Sequence, residues 1–370
     1  MFMKNCWYVA GWSHEVAADG LMARTICGKR LVFWRDEAGV IHALDDRCCH
    51  RGAPLSIGRK EGDNVRCMYH GFLFNPAGAC VEIPGQSQIP PKAHVRSYAV
   101  VERHRWIWLW MGDAASADES LIPDTHWLDD PDWACTKPGR LHYDVNYQLV
   151  NDNLLDFSHL SYVHPNTLGG SEEYAQLRSK IERLPRGLRI TRWFMDRPAA
   201  PFVAKLLAAK GMTGNVDRWN NYDFLLPGVL IMDSGFAPAG QGAEKGNREG
   251  GIEFRHCQVV TPETENSCHY FFAQPRNFDK DKLEVNEALY TSIVTAFEED
   301  RAIITSQAEN IAADPSFEPV ACGLDSALGQ FRWLIEQQIK QEAQAEAAEW
   351  QEDAANAPSA QRARPTAVAG

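Results

Sequence analysis

The sequence predicts an α+β chain, a small all-β domain followed by a larger domain of antiparallel strands and helices. Three observations predict it. Short apolar runs broken by Gly- and Pro-containing turns fill residues 1–112. A passage rich in Pro, Asp, Ala and Ser, GDAASADESLIPDTHWLDDPD (112–132), then interrupts the pattern. Beyond it, strand-like runs give way to helical periodicity over 282–313 and 326–353. The division is therefore 1–115 and 116–353, and residues 354–370, poor in large apolar side chains, are expected to be a disordered tail.

The elements follow in order. KRLVFWRDEAGVIHALDD (29–46) reads as a hairpin turned at Glu37-Ala38-Gly39, and GFLFNPAGACVEIPG (71–85) as a second, turned at Pro76-Ala77-Gly78. RWIWLWMGD (105–113) is an unbroken apolar run, the pattern of a buried strand. The second region opens with strand-like RLHYDVNYQ and a helix over 149–164. Further strands are expected at 187–195, 228–235, 252–260 and 267–274, ahead of the two long helices.

Composition narrows the function. The 370 residues are 45% hydrophobic and 23% charged, enough to bury a sizeable core, and the net charge of -12 argues against nucleic acid or an anionic membrane as partner. No apolar stretch approaches the length of a membrane span, and MFMKNCWYVAGWSHEV lacks the apolar core of a signal peptide. A chain of this length with ten cysteines and no secretory signal is expected in the cytoplasm. Its clustered cysteines then read as metal ligands, and scattered Cys135, Cys257 and Cys322 as buried thiols.

The cluster is CCHRGAPLSIGRKEGDNVRCMYHG (48–71). Cys48-x-His50 and Cys67-x-x-His70 make two short turns, each with one thiolate and one imidazole. Two Cys and two His is a common zinc set, but zinc fingers pair Cys with Cys and His with His along the chain. One of each per turn suits a two-iron cluster, because each turn must reach across both irons. That is the Rieske [2Fe–2S] arrangement, with two cysteines on one iron and two histidines on the other. Cys48 keeps the one-residue gap before His50, so its neighbour Cys49 is expected to point elsewhere.

The second constellation is NDNLLDFSHLSYVHP (151–165). On a regular helix Leu149, Asp152, Asn153, Asp156, His159, Leu160 and Val163 share a stripe, with Leu154, Leu155, Phe157 and Tyr162 around it. Such a helix is expected to be buried, and its polar residues must be paired or hold a metal. His159 and His164 converge on one ion only if the helix ends or widens between them, and Pro165 favours an end. Alone, the pair reads as a core histidine beside a surface one; the upstream cluster turns it into a ligand candidate. In FEEDRAIITSQ (297–307), Asp300 shares the apolar stripe of Leu289, Ile293, Phe297, Ile304 and Ile311, whereas Glu298 and Glu299 fall off it. Two histidines and one carboxylate leave open positions on Fe(II), the facial triad of non-haem iron oxygenases.

With both constellations placed, the chain resembles the Rieske non-haem iron oxygenases of the vanillate O-demethylase and dicamba monooxygenase group. The likeness runs through KNCWYVAGW, HRGAPLS, IPGQ, SYAVVER, DNLLDFSHLSYVH, TPETENSCHYFFAQPRNF and FEEDRAIITSQ. It implies a Rieske domain followed by a helix-grip-like catalytic domain. It also implies Cys48, His50, Cys67 and His70 as cluster ligands and His159, His164 and Asp300 as ligands of a mononuclear iron. Asp156 is then the inter-subunit electron-transfer bridge in a head-to-tail homotrimer, joining His70 of one chain to His159 of its neighbour. An NAD(P)H-dependent reductase or ferredoxin supplies electrons, and O2 is the co-substrate. Family members commonly have Pro where this chain has Cys49, a non-ligand position.

The resemblance favours hydroxylation of an exocyclic methyl or alkyl group of a small aromatic compound, with O- or N-dealkylation, over the alternative, cis-dihydroxylation of the ring. Pocket walls are expected from strands such as GVLIMDSGFAPAG and IEFRHCQVV, and the sequence assigns no residue there to a substrate group. Arg218 or His256 could meet a carboxylate, but residues of this kind are more often surface or network residues.

Overall fold

A computed structural model describes residues 1–168, 175–199 and 201–356. The N-terminal strands are β1 (Trp7–Trp12), β2 (Met22–Ile26), β3 (Lys29–Arg35), β4 (Ile41–Asp45), β5 (Arg59–Glu61), β6 (Asn64–Arg66), β7 (Leu73–Phe74), β8 (Cys80–Glu82), β9 (Ser97–Tyr98), β10 (Val100–Arg103) and β11 (Trp106–Trp110). They form three small sheets, ordered β1-β11-β10, β2-β3-β4-β9 and β5-β6-β7-β8. Both expected hairpins are present and turn alike. Gly39 donates to Asp36 O at 3.1 Å and Gly78 to Asn75 O at 2.8 Å, and each glycine takes a left-handed φ, 85° and 82°.

β11 is apolar throughout because both its faces are buried. Ile107 and Leu109 join the main core, while Trp106, Trp108 and Trp110 pack with Val229, Val259 and Phe271 of the second domain. Backbone bonds reinforce this seam: Cys27 and Gly28 donate to Pro262 O and Glu263 O at 2.8 and 2.7 Å, and Trp12 Nε1 donates to Gly139 O at 3.0 Å. A separate apolar cluster, including Val32, Trp34, Leu44, Leu55, Val65 and Phe74, surrounds Cys48 and Cys67.

The second domain contains β12 (Ala134–Cys135), β13 (Gly139–Tyr143), α1 (Tyr147–Leu155), α2 (Leu160–Val163), β14 (Lys180–Leu184), β15 (Gly187–Arg197), α3 (Pro201–Ala209), β16 (Val216–Leu225), β17 (Val229–Pro238), β18 (Ile252–Thr264), β19 (Ser267–Ala273), β20 (Pro275–Arg276), α4 (Leu283–Ala313) and α5 (Ser326–Asn356). Its nine-stranded sheet runs β12-β20-β18-β17-β16-β15-β14, with β19 pairing both β13 and β18. Ile293, Phe297 and Ile304 of α4 and Phe331 and Ile335 of α5 join the core that includes Leu188, Ile190, Tyr222, Phe224 and Leu230 of the sheet. Phe331 meets Phe224 edge-on, centroids 4.7 Å apart, and its truncation to Ala would cost about 3–5 kcal/mol. Further along α5, buried Glu342 accepts the backbone N–H groups of Lys4 and Asn5, both at 2.9 Å. Among the described residues no helix is long and apolar enough to cross a membrane.

Several expectations need correction. The helix over 149–164 is not continuous: it stops at Leu155, Asp156 is extended (φ -121°, ψ 97°), and a 3-10 turn, Phe157–His159, leads into α2. Nor is it apolar all round, since Tyr162 is 69% exposed. Asp152 lies on the side facing α5, where it pairs with Arg332. β14 and β16 are additional strands. Cys257 is buried, but Cys135 is half-buried and Cys322 exposed, so Cys322 is not the buried thiol expected. Residues 354–356 belong to α5, and the remainder of the expected tail lies outside the described residues.

Candidate metal centres and substrate cavity

The two Cys–His turns share one backbone design. Cys48 donates to Ala53 O and Cys67 to Phe72 O, both at 2.8 Å, while Gly52 donates to Cys48 O and Gly71 to Cys67 O, both at 2.9 Å. The glycine four residues after each cysteine is left-handed, φ 73° and 79°. At Gly71 a Cβ would also meet Pro84 Cγ at 2.7 Å. Each loop therefore begins with a buried cysteine and closes on a glycine, and only the histidine is shifted by one residue.

The consequence is a site with an inside and an outside. Cys48 and Cys67 are 2% and 1% exposed, while His50 and His70 are exposed at the surface. The imidazoles lie 4.6 Å apart, centroid to centroid, and His50 stacks on Phe72. Burial, with the neighbouring Cys67 thiol adding to it, pushes the Cys48 thiol up to about 12. A thiolate persists there only if a cation replaces its proton, which coordination does. Adjacent Cys49 is exposed. Two buried sulfurs behind two surface imidazoles suit a two-iron cluster with its nitrogen-ligated iron outermost.

The second centre lies where the broken helix meets α4. The extended Asp156 carboxylate accepts Ser158 N–H and Ser158 Oγ–H, both at 2.8 Å, and so caps the 3-10 turn. The turn brings His159 to Asp156 O, which accepts from Nδ1. His164 ends α2 and sends Nδ1 to Glu299 Oε2 at 2.8 Å. Both rings then present Nε2 to Asp300 Oδ1, at 3.4 Å from His159 and 3.1 Å from His164.

A ligand atom from each of His159, His164 and Asp300 lies within 4.8 Å of the others. His164 Nε2 is buried and makes no well-aligned hydrogen bond despite its nearness to Asp300. It and the carboxylate point at a common position rather than at each other, as ligands of one ion do. Burial lowers the His159 pKa. Burial acts the same way on His164, but Asp300 and Glu299 outweigh it and raise the value. At His164 the two carboxylates thus favour positive charge, which a divalent cation held there would supply.

Sequence reasoning missed two residues here. Asn153 Nδ2 donates to Asp300 Oδ1 at 2.9 Å. Glu299, set aside because it falls off the apolar stripe, anchors both His164 and the Thr167 hydroxyl, the latter at 2.6 Å. The i+3 spacing of Asn153 and Asp156 was visible, but no sequence pattern marks which acid reaches sideways to a histidine.

His159 and Asp300 are among the residues that line a cavity of about 450 Å³. Leu154, Phe157, Phe236, Phe254, Ile293 and Phe297 give it apolar walls, and Arg218, Asn220, Ser234, His256 and Gln258 line it from the sheet. Met232, Ser234 and Phe236 of GVLIMDSGFAPAG and Phe254, His256 and Gln258 of IEFRHCQVV line the cavity, as does Arg218.

Residues 6–99 match the Rieske [2Fe-2S] domain and residues 143–341 the vanillate O-demethylase oxygenase C-terminal domain. The chain is 48% identical to the iron-sulfur subunit of the toluene-4-sulfonate monooxygenase system of Comamonas testosteroni, over 92% of this chain and 98% of that one. It is 34% identical to the vanillate O-demethylase oxygenase subunit of Pseudomonas sp. (strain HR199 / DSM 7063), over 93% and 97%. Crystalline dicamba monooxygenase bound to 3,6-dichlorosalicylic acid superposes with a TM-score of 0.84 at 32% identity, covering 92% of this chain and 99% of that one. The chain therefore belongs to the vanillate O-demethylase group of Rieske non-haem iron oxygenases, as the oxygenase component of a monooxygenase that carries a [2Fe–2S] cluster and a mononuclear iron and uses O2.

Proposed function

We propose that this protein hydroxylates an exocyclic methyl or alkyl group of a small aromatic compound, releasing an aldehyde when that group sits on oxygen or nitrogen. The observation that carries this reading is the cavity, in which aromatic and aliphatic walls share the lining with His159 and Asp300, so a ring held there lies beside the candidate iron position. The relatives' names point the same way: a toluene sulfonate monooxygenase, two O-demethylases and a chloroacetanilide N-alkylformylase.

When bound, the metal groups supply one-electron transfer and reduction of O2. One oxygen atom would enter the C–H bond and the other leave as water, with two electrons from a reductase or ferredoxin using NAD(P)H and two protons from solvent. The chain's own residues orient and enclose. Asp156 O and Glu299 fix which nitrogen each histidine turns inward. Asn153 holds the Asp300 carboxylate, and Phe157, Phe236 and Phe297 keep bulk water from the ring.

Copies assemble head to tail as a trimer, with Asp156 linking His70 of one copy to His159 of the next. Supporting this, the surface around His50 and His70 includes Met68 and Tyr69, 52% and 60% exposed, and Tyr162 between the iron-site histidines is 69% exposed. Ligands for the two centres are Cys48, His50, Cys67 and His70, and His159, His164 and Asp300. The two functional units meet in the 112–132 connection, and the ten unbridged cysteines accord with a cytoplasmic location.

The test is turnover with a surrogate reductase under ¹⁸O2 against methoxy-, N-alkyl- and methyl-arenes. One labelled oxygen in an alcohol or aldehyde product is the expected result. A cis-diol carrying two labelled atoms would overturn it.

A further inference from the structure

A second cavity, of about 510 Å³, lies at the seam between the two domains. Its walls come from β2 and β3 of the first domain and from β13, β18 and β19 of the second, and the hydroxylase reading makes no use of it. Unlike the substrate cavity it is lined largely by charged groups: three arginines, Arg24, Arg30 and Arg140, against two carboxylates, Asp46 and Glu263. The carboxylates are engaged elsewhere. Asp46 accepts Ser56 N–H and Ser56 Oγ–H, both at 2.7 Å, and Glu263 pairs with His142.

The arginines are not. Arg24 and Arg140 both turn to one oxygen, Glu15 Oε1, at 2.8 and 3.6 Å. Only Arg24 hydrogen-bonds it, through Nη2, which also reaches Met22 Sδ. The Arg24 side chain is just 7% exposed, yet its Nη1 has no acceptor among the described residues. Arg140 hydrogen-bonds none of them, and Arg30 comes no nearer than 3.6 Å to Asp46. Arg35 is the contrast, giving its three nitrogens to Val16 O, Gly39 O, Ser13 O and both oxygens of Glu102. A guanidinium carries five donors and stays charged at neutral pH, so the seam holds donors in excess of acceptors. Burial, with the Arg24 charge adding to it, lowers the Arg140 pKa despite Glu15 and Glu263 nearby. One shared carboxylate oxygen does not neutralise the pair.

We propose that this seam cavity binds phosphate, free or carried by a small metabolite, with Arg24 Nη1, Arg140 and Arg30 as its donors. A tetrahedral oxyanion offers at least three acceptor oxygens, one to each guanidinium, where a carboxylate offers two. Arg24 and Arg30 belong to the first domain and Arg140 to the second, so the bound anion ties the domains together and stabilises their contact by mass action. The site stands independently of the hydroxylase reading.

The experiment measures binding apart from turnover. Holoprotein under nitrogen, in zwitterionic buffer at fixed ionic strength, is titrated calorimetrically with inorganic phosphate, glycerol 3-phosphate and acetate. The parent is expected to bind phosphate saturably, to bind acetate more weakly, and to melt at a higher temperature as phosphate is added. Tighter binding of glycerol 3-phosphate assigns the site to a phosphorylated metabolite, and tighter binding of phosphate to the free ion. Arg24→Gln strips Glu15 of its partner and puts the fold at risk, so Arg140→Gln decides, since Arg140 has no hydrogen bond to lose. It should weaken phosphate roughly 10- to 100-fold, the scale of one charge-assisted hydrogen bond, with cluster absorbance and iron content equal to the parent's. Arg30→Gln, at the exposed rim, should lose less, and Arg189→Gln, whose guanidinium pairs with Asp223 away from the cavity, should lose nothing. No saturable phosphate binding, acetate bound as tightly as phosphate, or an Arg140→Gln variant that binds like the parent overturns the proposal.

Discussion

Glu299 gives the sharpest test of how the proposed iron site is held. His164 is 0% exposed, its Nδ1 is bonded to Glu299 Oε2 at 2.8 Å, and the same oxygen takes the Thr167 hydroxyl at 2.6 Å. Glu299→Ala leaves a buried N–H without an acceptor, a loss of about 1–3 kcal/mol, and lets the imidazole turn away from Asp300. Removing such a support typically lowers metal affinity about 10- to 100-fold, or about 1.4–2.7 kcal/mol, so the two routes agree. Glu299→Gln keeps a carbonyl acceptor and should lose less. Glu298, paired with Arg301 on the outer face of α4, is the control. The assay is anaerobic Fe(II) titration against a competing chelator, with cluster absorbance as an internal standard for intact protein. Unchanged Fe(II) affinity in Glu299→Ala, or an equal loss in Glu298→Ala, would refute the reasoning.

Three further outcomes are expected. Cys48→Ser should abolish the iron–sulfur absorption and Cys49→Ser should keep it, since only Cys48 is buried beside Cys67; visible spectra of the two purified variants decide. Asp156→Asn should retain both metals, because an amide oxygen can still cap Ser158, yet turn over far more slowly; near-normal turnover at full metal content would remove the bridging role. His269 is 4% exposed, and burial holds its pKa at about 4. The unfolded chain therefore takes up this proton first, and stability present above pH 6.5 is lost as pH falls toward 4, by at most about 1.4 kcal/mol per pH unit. Melting temperatures across that window should fall less steeply in His269→Gln, and parallel profiles would count against the buried neutral imidazole.

Much of this molecule was legible in its sequence, and the gaps share a cause. Asp300 could be picked from three adjacent acids because helical phase and burial coincide along α4. The Cys–His turns were legible because ligand spacing is a property of short loops. β16 was not: its cavity-side positions carry Arg218 and Asn220 where a core strand would carry Val or Ile, so the alternation that reveals a strand is spoiled by the residues that line the cavity. The break at Asp156 was missed for a different reason. Asp-x-Ser is a capping signal, but amid DNLLDFSHLSY the run of helix formers outweighed it. Glu299 shows the limit most clearly, since facing solvent and reaching back to a buried ring look identical in one dimension.

The hold of Glu342 on the backbone of Lys4 and Asn5 sets an order of events at the ribosome. The cluster-bearing domain is synthesised before α5, and the segment leading into its first strand finds these acceptors only 338 residues later in the chain. Until then those two amides must be satisfied by water, and the edge of the early domain stays open. Closure waits on α5, so a chain cut short before Glu342 would begin with a loose end.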